Sequence, residues 1–470
     1  MAKHSMTEKR KICEILEKKG VKIYFSGICG ASMSALAELL HKEGFLVTGS
    51  DVKERGSTGV DSLGIRRYVG QRGENVLEES PDLFVYTLAL DEKNPEISAA
   101  VEMGVLCISR AELMGAMMGR YEKKIAVIGS HGKSTTTAML GKIFEQAGKN
   151  PTVLSGADLG HGSCLRYGGR EYLIYEGCEY RGSFLHFYPD VTILLNIDLD
   201  HTDYYSGIEE LSSAFLKAAN LSSLACVINS DDDEVRKIQS SIKPRAVRVG
   251  KGDEVDFSYK TEQKSGKISV TVGGGCGAFE IPLSVLGEHN AENAAMAASA
   301  ALYLGISQSC VKKALSEFKA TPRRLQYLGK CRGAAVYYDY AHHPKEIAAT
   351  LSALSSVGYK RTAVLFCPHT YTRTKSLWGG FVKSLGAAAW AFITEIFPAR
   401  EEPIPKITGE RLAKAVSEAG GAGEFFSKNS PTIDPIFEVG ADSIVLMGAG
   451  DFGEIYKKFI EAIDKESELC

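Results

Sequence analysis

The chain has 470 residues, of which 24% are charged, and its formal net charge is −3. This length exceeds one ordinary hydrophobic core, so we expect about three domains. The small net charge gives no reason to expect binding to nucleic acid or an acidic membrane, and no apolar run approaches the ~20 residues that span a bilayer.

The first predicted elements are a charged amphipathic helix at the start of the chain and a strand–turn–helix unit. The start lacks the apolar core of a signal peptide, and eleven cysteines without a C-x-x-C pair indicate reduced thiols in the cytoplasm. In VKIYFSGICGASMSALAELL, Gly27 and Gly30 lie in a turn whose N–H groups suit a pyrophosphate. Asp51 follows about 20 residues later, where a dinucleotide fold has its ribose-binding acid. These residues alone do not distinguish a UDP site from an NAD site.

The second strand–turn–helix unit is KKIAVIGSHGKSTTTAML. Gly132, Lys133 and Ser134 fit the end of the G-x-x-x-x-G-K-[ST] pattern, but Val127 stands where its first glycine belongs. Such a turn directs N–H groups and a helix N-terminus at a phosphate. Lys133 can reach the outer phosphates, and the hydroxyl of Ser134 or Thr135 can bind Mg²⁺. The alternative is a capped helix start with an unrelated lysine.

Two later apolar strands end in acidic residues. EYLIYEGCEYRGSF ends its strand at Glu176, with Glu179 next. VTILLNIDLDHTDYY ends its strand at a group of polar residues: Asp198, Asp200, His201 and Asp203. Taken alone, each acid is most simply a solvated loop charge. Two acidic strand ends after one phosphate loop predict a metal site at the ligand-binding edge of an open α/β sheet.

The remaining elements are an alternating segment and a final strand series. VDFSYKTEQKSGKISVTVGGGCGAFEIPL alternates apolar and polar residues, which predicts antiparallel strands at the edge of the middle domain. The strands AAVYYDYA, RTAVLFCP, AWAFITEI and DSIVLMGAG are separated by helical patterns, which predicts a parallel sheet. Domain boundaries are expected near 119–122 and 320–322.

Nine segments in order resemble motifs of the Mur ligase family, within it the alanine-adding branch. They are GICGASMSALAELL, GSHGKSTTT, EGCEYRGSF, NIDLDHTDYY, GEHNAENAAMA, TPRRLQYLG, DYAHHPKEI, PHTYTRTKSL and AREEP. Together they cover nearly the whole chain. The resemblance implies an α/β fold of three domains: a Rossmann-like UDP-sugar-binding domain at 1–120, a central P-loop ATPase-type α/β domain that binds ATP at 121–321, and a C-terminal Rossmann-like amino-acid domain at 322–470.

The resemblance also implies a reaction. The enzyme would be an ATP-dependent ligase of cytoplasmic peptidoglycan biosynthesis, with UDP-N-acetylmuramate, L-alanine and ATP as substrates and no nucleic-acid or membrane partner. The lactyl carboxylate would take the γ-phosphate of ATP to give an acyl phosphate, which the alanine amine attacks. Because the reacting groups are anions, the site needs cations: Mg²⁺ or Mn²⁺, as two ions, is implied.

Site residues carry over at matching positions. The implied ATP-binding residues are Gly129, Ser130, His131, Gly132, Lys133, Ser134, Thr135, Asn290, Asn293, Arg324 and Asp339. The implied metal ligands are Ser134, Glu176 and His201. The implied catalytic residues are Lys133, Glu176, His201, Arg324, His342 and Arg373. By spacing alone, Asn290 and Asn293 are as well explained as helix-capping amides.

The implied substrate contacts fall in the first and third domains. For the UDP sugar they are Gly27, Gly30, Ser32, Met33, Ser50 and Asp51. For the amino acid they are Tyr340, His342 and Arg373, although a solvated surface arginine is the alternative for the last. Three features depart from the family pattern: Cys29 replaces a glycine, Gln71 stands where histidine is expected, and TLAL, at 87–90, replaces a smaller, more polar stretch. If position 29 needs a positive φ, the cysteine costs on the order of 1 kcal/mol.

Three other functions remain open from the sequence. A paralogous ligase would add another amino acid or a recycled peptide to a muramyl acceptor. A non-catalytic nucleotide-binding paralogue would lack ATP turnover. An NAD-dependent oxidoreductase would use the first turn, but the phosphate loop does not fit that class.

Overall fold

The computed structural model describes residues 10–52, 58–88, 90–91, 93–202, 204–264, 266–275, 277–399, 401–450 and 452–469. Asp203 and Arg400, which belong to two of the motifs, lie outside these ranges. The chain divides into two compact units. The first comprises the described residues up to Ile197 together with Ser212–Ser258 and Met296–Ala314; the second comprises Asp198–Leu211, Tyr259–Ala295 and the described residues from Leu315 onward. Within the described ranges, no helix is long and apolar enough to cross a membrane.

The first unit begins with a five-stranded parallel sheet in the order β3-β2-β1-β4-β5. Its strands are β1 Lys22–Ser26, β2 Leu46–Asp51, β3 Arg66–Val69, β4 Leu83–Tyr86 and β5 Leu106–Ser109. Its helices are 10–16, Ala31–Lys42, Thr58–Ser62, Gly73–Glu79, Pro95–Glu102 and Arg110–Met117. The consecutive side chains Ile23, Tyr24 and Phe25 are all fully buried, as in a parallel strand covered on both faces.

A second sheet of this unit has the order β12-β11-β10-β6-β9-β7-β8. Its strands are β6 Lys123–Ile128, β7 Thr152–Leu154, β8 Leu165–Arg166, β9 Tyr172–Glu176, β10 Val191–Leu194, β11 Ala225–Asn229 and β12 Arg245–Gly250. Only β8 is antiparallel to its neighbour in this series. The 3-10 turns are Met118–Arg120, Tyr180–His186 and Gln239–Ser241, and the helices up to residue 316 are Lys133–Gln146, Ile208–Ala219, Asp233–Ile238, Glu288–Tyr303 and Gln308–Ser316.

The alternating segment forms β13 Phe257–Lys264, β14 Lys267–Gly273 and β15 Phe279–Leu283. β14 and β15 pair antiparallel, as the alternation predicts, with Val270 opposite Ile281. The first residues of β13 differ from that prediction, because Phe257 and Ser258 pair with β12 in parallel.

The second unit contains a six-stranded sheet in the order β16-β17-β21-β18-β19-β20. Its strands are β16 Gln326–Cys331, β17 Ala334–Asp339, β18 Thr362–Phe366, β19 Trp390–Ile393, β20 Gly423–Phe425 and β21 Ser443–Met447. Its helices are Pro344–Ser356, Tyr371–Ser376, Trp378–Leu385, Gly409–Glu418, Asp434–Glu438 and Glu454–Leu469. All pairs are parallel except β16–β17, so the predicted parallel sheet is confirmed. Along β17, Tyr337 packs in one core cluster and Val336 and Tyr338 in another, because successive side chains face opposite sides.

Candidate active site

The phosphate loop joins β6 to the helix Lys133–Gln146 through a turn that needs two glycines. Gly129 has φ +148°, and a Cβ there would lie 3.0 Å from the Leu195 Cβ and 3.2 Å from the Asn196 amide nitrogen. Gly132 has φ +81° at the N-cap of the helix. The first turn of a helix leaves backbone N–H groups without intrahelical acceptors, and these can meet a phosphate. The loop is therefore short but has the geometry of an anion-binding turn.

Asn196, at the end of β10, holds this loop in place. Its backbone carbonyl accepts from Ser130 N–H at 3.1 Å, its side-chain Oδ1 accepts from His131 N–H at 2.8 Å, and its Nδ2 donates to the His131 carbonyl at 3.1 Å. Sequence reasoning gave Asn196 no role. In its motif, only the acidic residues and His201 carry the predicted metal site. The amide of Asn196 reaches the phosphate loop because β10 lies beside β6 in the sheet.

Two backbone carbonyls and one carboxylate of the first unit contact the Lys133 ammonium. Its Nζ donates to the carbonyls of Gly129 and Ser130 at 2.5 and 3.1 Å, and it lies 3.0 Å from Oε2 of Glu179. Burial alone would lower the pKa of the Lys133 ammonium, but the neighbouring Glu179 carboxylate raises that pKa above its usual value. Lys133 therefore stays charged at neutral pH, as a group that binds phosphate must.

The two metal ligands predicted in this unit lie together. Ser134 Oγ donates to Oε2 of Glu176 at 3.1 Å. The other carboxylate oxygen of Glu176 accepts from Ser155 Oγ at 2.8 Å and from Gly156 N–H at 2.5 Å. These contacts fix the carboxylate at the end of β9, beside the first turn of the phosphate-loop helix. A hydroxyl and a carboxylate at that place are the hard oxygen ligands that Mg²⁺ prefers.

A cavity of about 130 Å³ in the first unit is lined by the predicted phosphate and sugar-nucleotide residues together. Its polar lining comprises Ser32, Arg110, Lys133, Ser155, Glu176 and Cys178. Ser32 comes from the first turn of the helix Ala31–Lys42, and Lys133 comes from the phosphate loop. The structure therefore brings one predicted sugar-nucleotide residue to the same cavity as Lys133, the predicted catalytic lysine.

The turn after β1 is held by the end of β2. Gly27 has φ +86°, and its N–H donates to the Ser50 carbonyl at 2.8 Å. The carboxylate of Asp51 accepts from the Cys29 N–H at 2.9 Å. Cys29 does not have a positive φ, so the backbone condition under which a cysteine would be strained here is not met: Gly27 adopts the left-handed conformation instead. Met33, another predicted sugar-nucleotide residue, is buried in the helix that follows.

Behind this turn lies a buried carboxylate that the sequence did not reveal. The carboxylate of Glu96 accepts from Tyr24 OH at 2.7 Å, Ser26 Oγ at 2.5 Å, Ser50 Oγ at 2.6 Å and Asn75 Nδ2 at 2.9 Å. Glu96 is completely buried. Ser50, a predicted sugar-nucleotide residue, therefore also fixes the ends of β1 and β2 through its hydroxyl.

Gln71, at the position where histidine was expected, joins this network. Its side-chain Oε1 accepts from Asn94 Nδ2 at 2.8 Å, and its Nε2 lies 3.4 Å from Ser26 Oγ. An amide can donate and accept at once, which suits a position between an amide donor and a hydroxyl.

In the second unit, Arg373 forms a bidentate ion pair with Asp200. Arg373 Nε donates to Oδ1 at 2.9 Å and Nη2 to Oδ2 at 3.2 Å, while Nη1 donates to the His369 carbonyl at 2.8 Å. The solvated-surface alternative for Arg373 is wrong, since only 11% of its side chain is exposed. Burial opposes ionisation of Asp200, but Arg373 and the nearby His201 hold its pKa well below the usual range. His201 Nε2 lies 4.0 Å from the Asp200 carboxylate.

The predicted amino-acid residues lie beside this pair. The rings of Tyr340 and His342 are 5.2 Å apart, and those of His342 and His369 are 6.3 Å apart. Burial lowers the pKa of His342 and of His369 to about 4 each, and the Arg373 guanidinium adds to the effect. Both imidazoles are therefore neutral at pH 7.

The nucleotide residues predicted in the second unit lie near the end of β17 and at the start of the helix Glu288–Tyr303. Asp339 accepts from Thr350 Oγ1 at 2.5 Å, and burial raises the pKa of its carboxyl. The guanidinium of Arg324 lies 4.8 Å from the Tyr340 ring centroid. Asn290 Nδ2 donates to the Leu286 carbonyl at 2.8 Å, whereas a capping amide would accept a backbone N–H through its oxygen. Asn293 is buried on the same helix.

Models of the Mur ligase family match three consecutive stretches of this chain. The family's catalytic-domain model matches residues 22–122, the middle-domain model 127–301 and the glutamate-ligase-domain model 323–450. The expected boundaries at 120/121 and 321/322 stay predictions.

Three similar proteins illustrate the relationship. The chain is 37% identical over 451 residues to a UDP-N-acetylmuramate–L-alanine ligase of Agathobacter rectalis, covering 93% of this chain and 97% of that protein. The structure of a UDP-N-acetylmuramate–alanine ligase of Thermotoga maritima is 26% identical with a TM-score of 0.80, covering 95% of this chain and 100% of that one. A murein peptide ligase of Psychrobacter arcticus, 22% identical with a TM-score of 0.70 over 94% of this chain and 99% of that one, shows the fold alone.

Proposed function

The chain belongs to the Mur ligase family, and we propose that it joins L-alanine to the lactyl carboxylate of UDP-N-acetylmuramate with consumption of ATP, in peptidoglycan biosynthesis. The predicted family, α/β fold and ligase class are confirmed. The observation that carries this function is the near-full-length identity to enzymes of that name. The grouping of Lys133, Ser134 and Glu176 at one loop supports it.

The chemistry follows from the poor reactivity of a carboxylate towards an amine. An oxygen of the lactyl carboxylate attacks the γ-phosphorus, and the bond from that phosphorus to the ADP oxygen breaks. The neutral amine of alanine then attacks the acyl carbon, phosphate leaves with the former carboxylate oxygen, and the nitrogen loses a proton. Phosphoryl transfer depends mainly on positioning and on cations that offset the negative charge.

The first unit supplies the phosphate side of this reaction. Lys133 binds the outer phosphates as a point charge, and Glu179 and the loop carbonyls keep its ammonium protonated and positioned. The first turn of the helix from Lys133 adds N–H donors. Asn196 keeps the loop in the conformation that presents them.

Ser134 and Glu176 fit a magnesium ion, since a hydroxyl and a carboxylate oxygen lie 3.1 Å apart at the phosphate loop. When bound, Mg²⁺ supplies positive charge that offsets the phosphate oxygens. The Glu176 carboxylate keeps acceptor capacity for this role beside its three hydrogen bonds. A second ion held through His201 remains a prediction from the family resemblance.

The second unit supplies the candidate amino-acid side. His342 and His369 are neutral at pH 7, so they offer a lone pair rather than positive charge to an incoming amine. Arg373 is the cation suited to the alanine carboxylate, and its pairing with Asp200 fixes the orientation of its guanidinium. These roles stay proposals.

The amine donor is varied while the acceptor is held constant. Phosphate release is measured with ATP, Mg²⁺ and UDP-N-acetylmuramate, adding L-alanine, glycine, L-serine or a recycled cell-wall peptide in turn. We expect L-alanine to give the highest kcat/KM and a mass increase of the sugar nucleotide equal to one alanyl group. A preference for the peptide would favour the recycling paralogue. Absence of ATP turnover with every donor would favour a non-catalytic protein.

A further inference from the structure

Arg110 lines the cavity that contains Lys133 and Glu176, and neither the motifs nor the reaction as described above use it. It is the first residue of the helix Arg110–Met117. Ser109 before it forms a capping box with Glu112: Ser109 N–H donates to Oε2 at 2.7 Å, and Glu112 N–H donates to Ser109 Oγ at 3.3 Å. The capped turn fixes the backbone from which the arginine enters the cavity.

The charge of Arg110 is not paired with a carboxylate in the part of the chain that the structure describes. Among the described residues, no carboxylate lies within ion-pair distance of its guanidinium, whereas Arg120 and Arg170 share Glu43. Burial lowers the pKa of the Arg110 guanidinium, with Cys178 the neighbour that opposes this. Arginine remains protonated in proteins even so. Arg110 is partly buried. A partly desolvated cation without a counter-charge is destabilising, and an anion in the cavity would offset that cost.

The residues that line the cavity indicate which anion would bind beside Arg110. The acceptor's reacting group must meet the γ-phosphate beside Lys133 and the metal ligand Glu176, and both line the cavity. Ser32, from the sugar-nucleotide turn, lines it as well. A cavity of about 130 Å³ has room for a carboxylate or phosphate group but not for a whole nucleotide.

We propose that Arg110 binds the lactyl carboxylate of the acceptor and then the acyl phosphate formed from it. This role rests on the proposed function. The guanidinium presents paired N–H donors that match the two oxygens of a carboxylate, and its charge reduces the repulsion between the carboxylate and the γ-phosphate. Arg110 neither gains nor loses a proton: the new bond joins the carboxylate oxygen to phosphorus, and ADP leaves with the electrons of the broken bond.

The test compares two sugar nucleotides that differ in the lactyl group. Affinities for UDP-N-acetylmuramate and UDP-N-acetylglucosamine are measured by calorimetry for the full-length wild type, Arg110→Gln and Arg110→Lys. We expect Arg110→Gln to weaken the affinity for UDP-N-acetylmuramate about tenfold or more, as for a lost charge-assisted hydrogen bond. The affinity for UDP-N-acetylglucosamine should stay within about twofold of the wild-type value. Arg110→Lys should restore part of the difference. Arg170→Gln, which removes a guanidinium that is 61% exposed, is the matched control.

Equal weakening of both nucleotides by Arg110→Gln would overturn the proposal, because the arginine would then support the fold or contact the pyrophosphate. Unchanged binding of both would overturn it as well. A failure of the proposed function is distinguishable, since the wild type would then release no phosphate with UDP-N-acetylmuramate and L-alanine, whatever its affinities for the two nucleotides. Thermal midpoints of the variants separate a loss of folding from a loss of contact.

Discussion

Lys133 and Glu179 form an ion pair with a distance of 3.0 Å between Nζ and Oε2, and the Glu179 side chain is only 3% exposed. Among the described residues, removing the carboxylate leaves the ammonium with the carbonyls of Gly129 and Ser130 as its hydrogen-bond partners. We expect Glu179→Gln to lower the free energy of unfolding by about 1–3 kcal/mol. The loss should be smaller in Glu179→Gln combined with Lys133→Met, because no unpaired charge remains. Urea denaturation of the two single variants and the double variant measures this, and strictly additive losses would contradict the coupling.

Ser134 and Glu176 provide a test of the proposed magnesium site. Ser134→Ala removes the hydroxyl that lies 3.1 Å from the carboxylate, whereas Ser134→Thr keeps a hydroxyl. We expect the alanine variant to need roughly tenfold more Mg²⁺ for half-maximal phosphate release, as for the loss of one ligand contact, and the threonine variant to behave like wild type. A magnesium titration of activity is the measurement. Identical titrations for the alanine variant and wild type would remove Ser134 from the metal site.

Substitution of Asn196 tests whether ATP binding depends on the hydrogen bonds that fix the conformation of the phosphate loop. Asn196→Ala removes two side-chain hydrogen bonds to His131, and Asn196→Asp removes only the one that Nδ2 donates. We expect KM for ATP to rise roughly thirtyfold in the alanine variant, because two bonds of about 1 kcal/mol each are lost. The aspartate variant should be impaired as well, because its second carboxylate oxygen faces the His131 carbonyl. KM for the sugar nucleotide should stay within about twofold. A change confined to the sugar nucleotide would show that the loop conformation does not depend on Asn196.

His289 gives the stability a defined pH dependence. Burial lowers its pKa from 6.5 to about 4, with Glu346 opposing and Arg324 adding to the shift. The unfolded chain therefore takes up a proton near pH 6.5 that the folded chain resists. The contribution of neutral His289 to the free energy of unfolding is complete above pH 6.5. About 1–3 kcal/mol of that free energy is lost as the pH falls towards 4.

Substitution isolates that contribution from the other titrating groups. We expect the thermal midpoint of His289→Gln to fall less between pH 7 and pH 5 than that of wild type. His342 and His369, whose pKa values are also about 4, continue to contribute in both proteins. Equal decreases in the two proteins would show that His289 titrates normally in the folded state.

The parts of the site that the sequence predicted are those set by local chain order. Gly132, Lys133 and Ser134 follow a strand and open a helix, and Glu176 ends a strand, so β6 and β9 as parallel neighbours bring them together. The contacts that sequence reasoning missed depend on register between distant segments. Arg373 and Asp200 are 173 residues apart.

The buried network around Glu96 shows the same limit. Its partners lie on β1, at the end of β2 and on the helix Gly73–Glu79, and their spacing does not reveal that they converge. Arg110 is a similar case, because no motif distinguishes a lining arginine from a surface one. Whether Cys29 needs a positive φ was open from the sequence for a related reason: only the turn itself shows that Gly27, not Cys29, adopts it.

The most direct test of the account follows the carboxylate oxygen. UDP-N-acetylmuramate labelled with oxygen-18 in the lactyl carboxylate is incubated with ATP, Mg²⁺ and L-alanine, and the released phosphate is analysed by mass spectrometry. The account predicts one labelled oxygen in each phosphate, matched by one alanylated sugar nucleotide, and no release with Lys133→Ala. Unlabelled phosphate from the wild type, or labelled acceptor left unchanged, would contradict the ligase assignment.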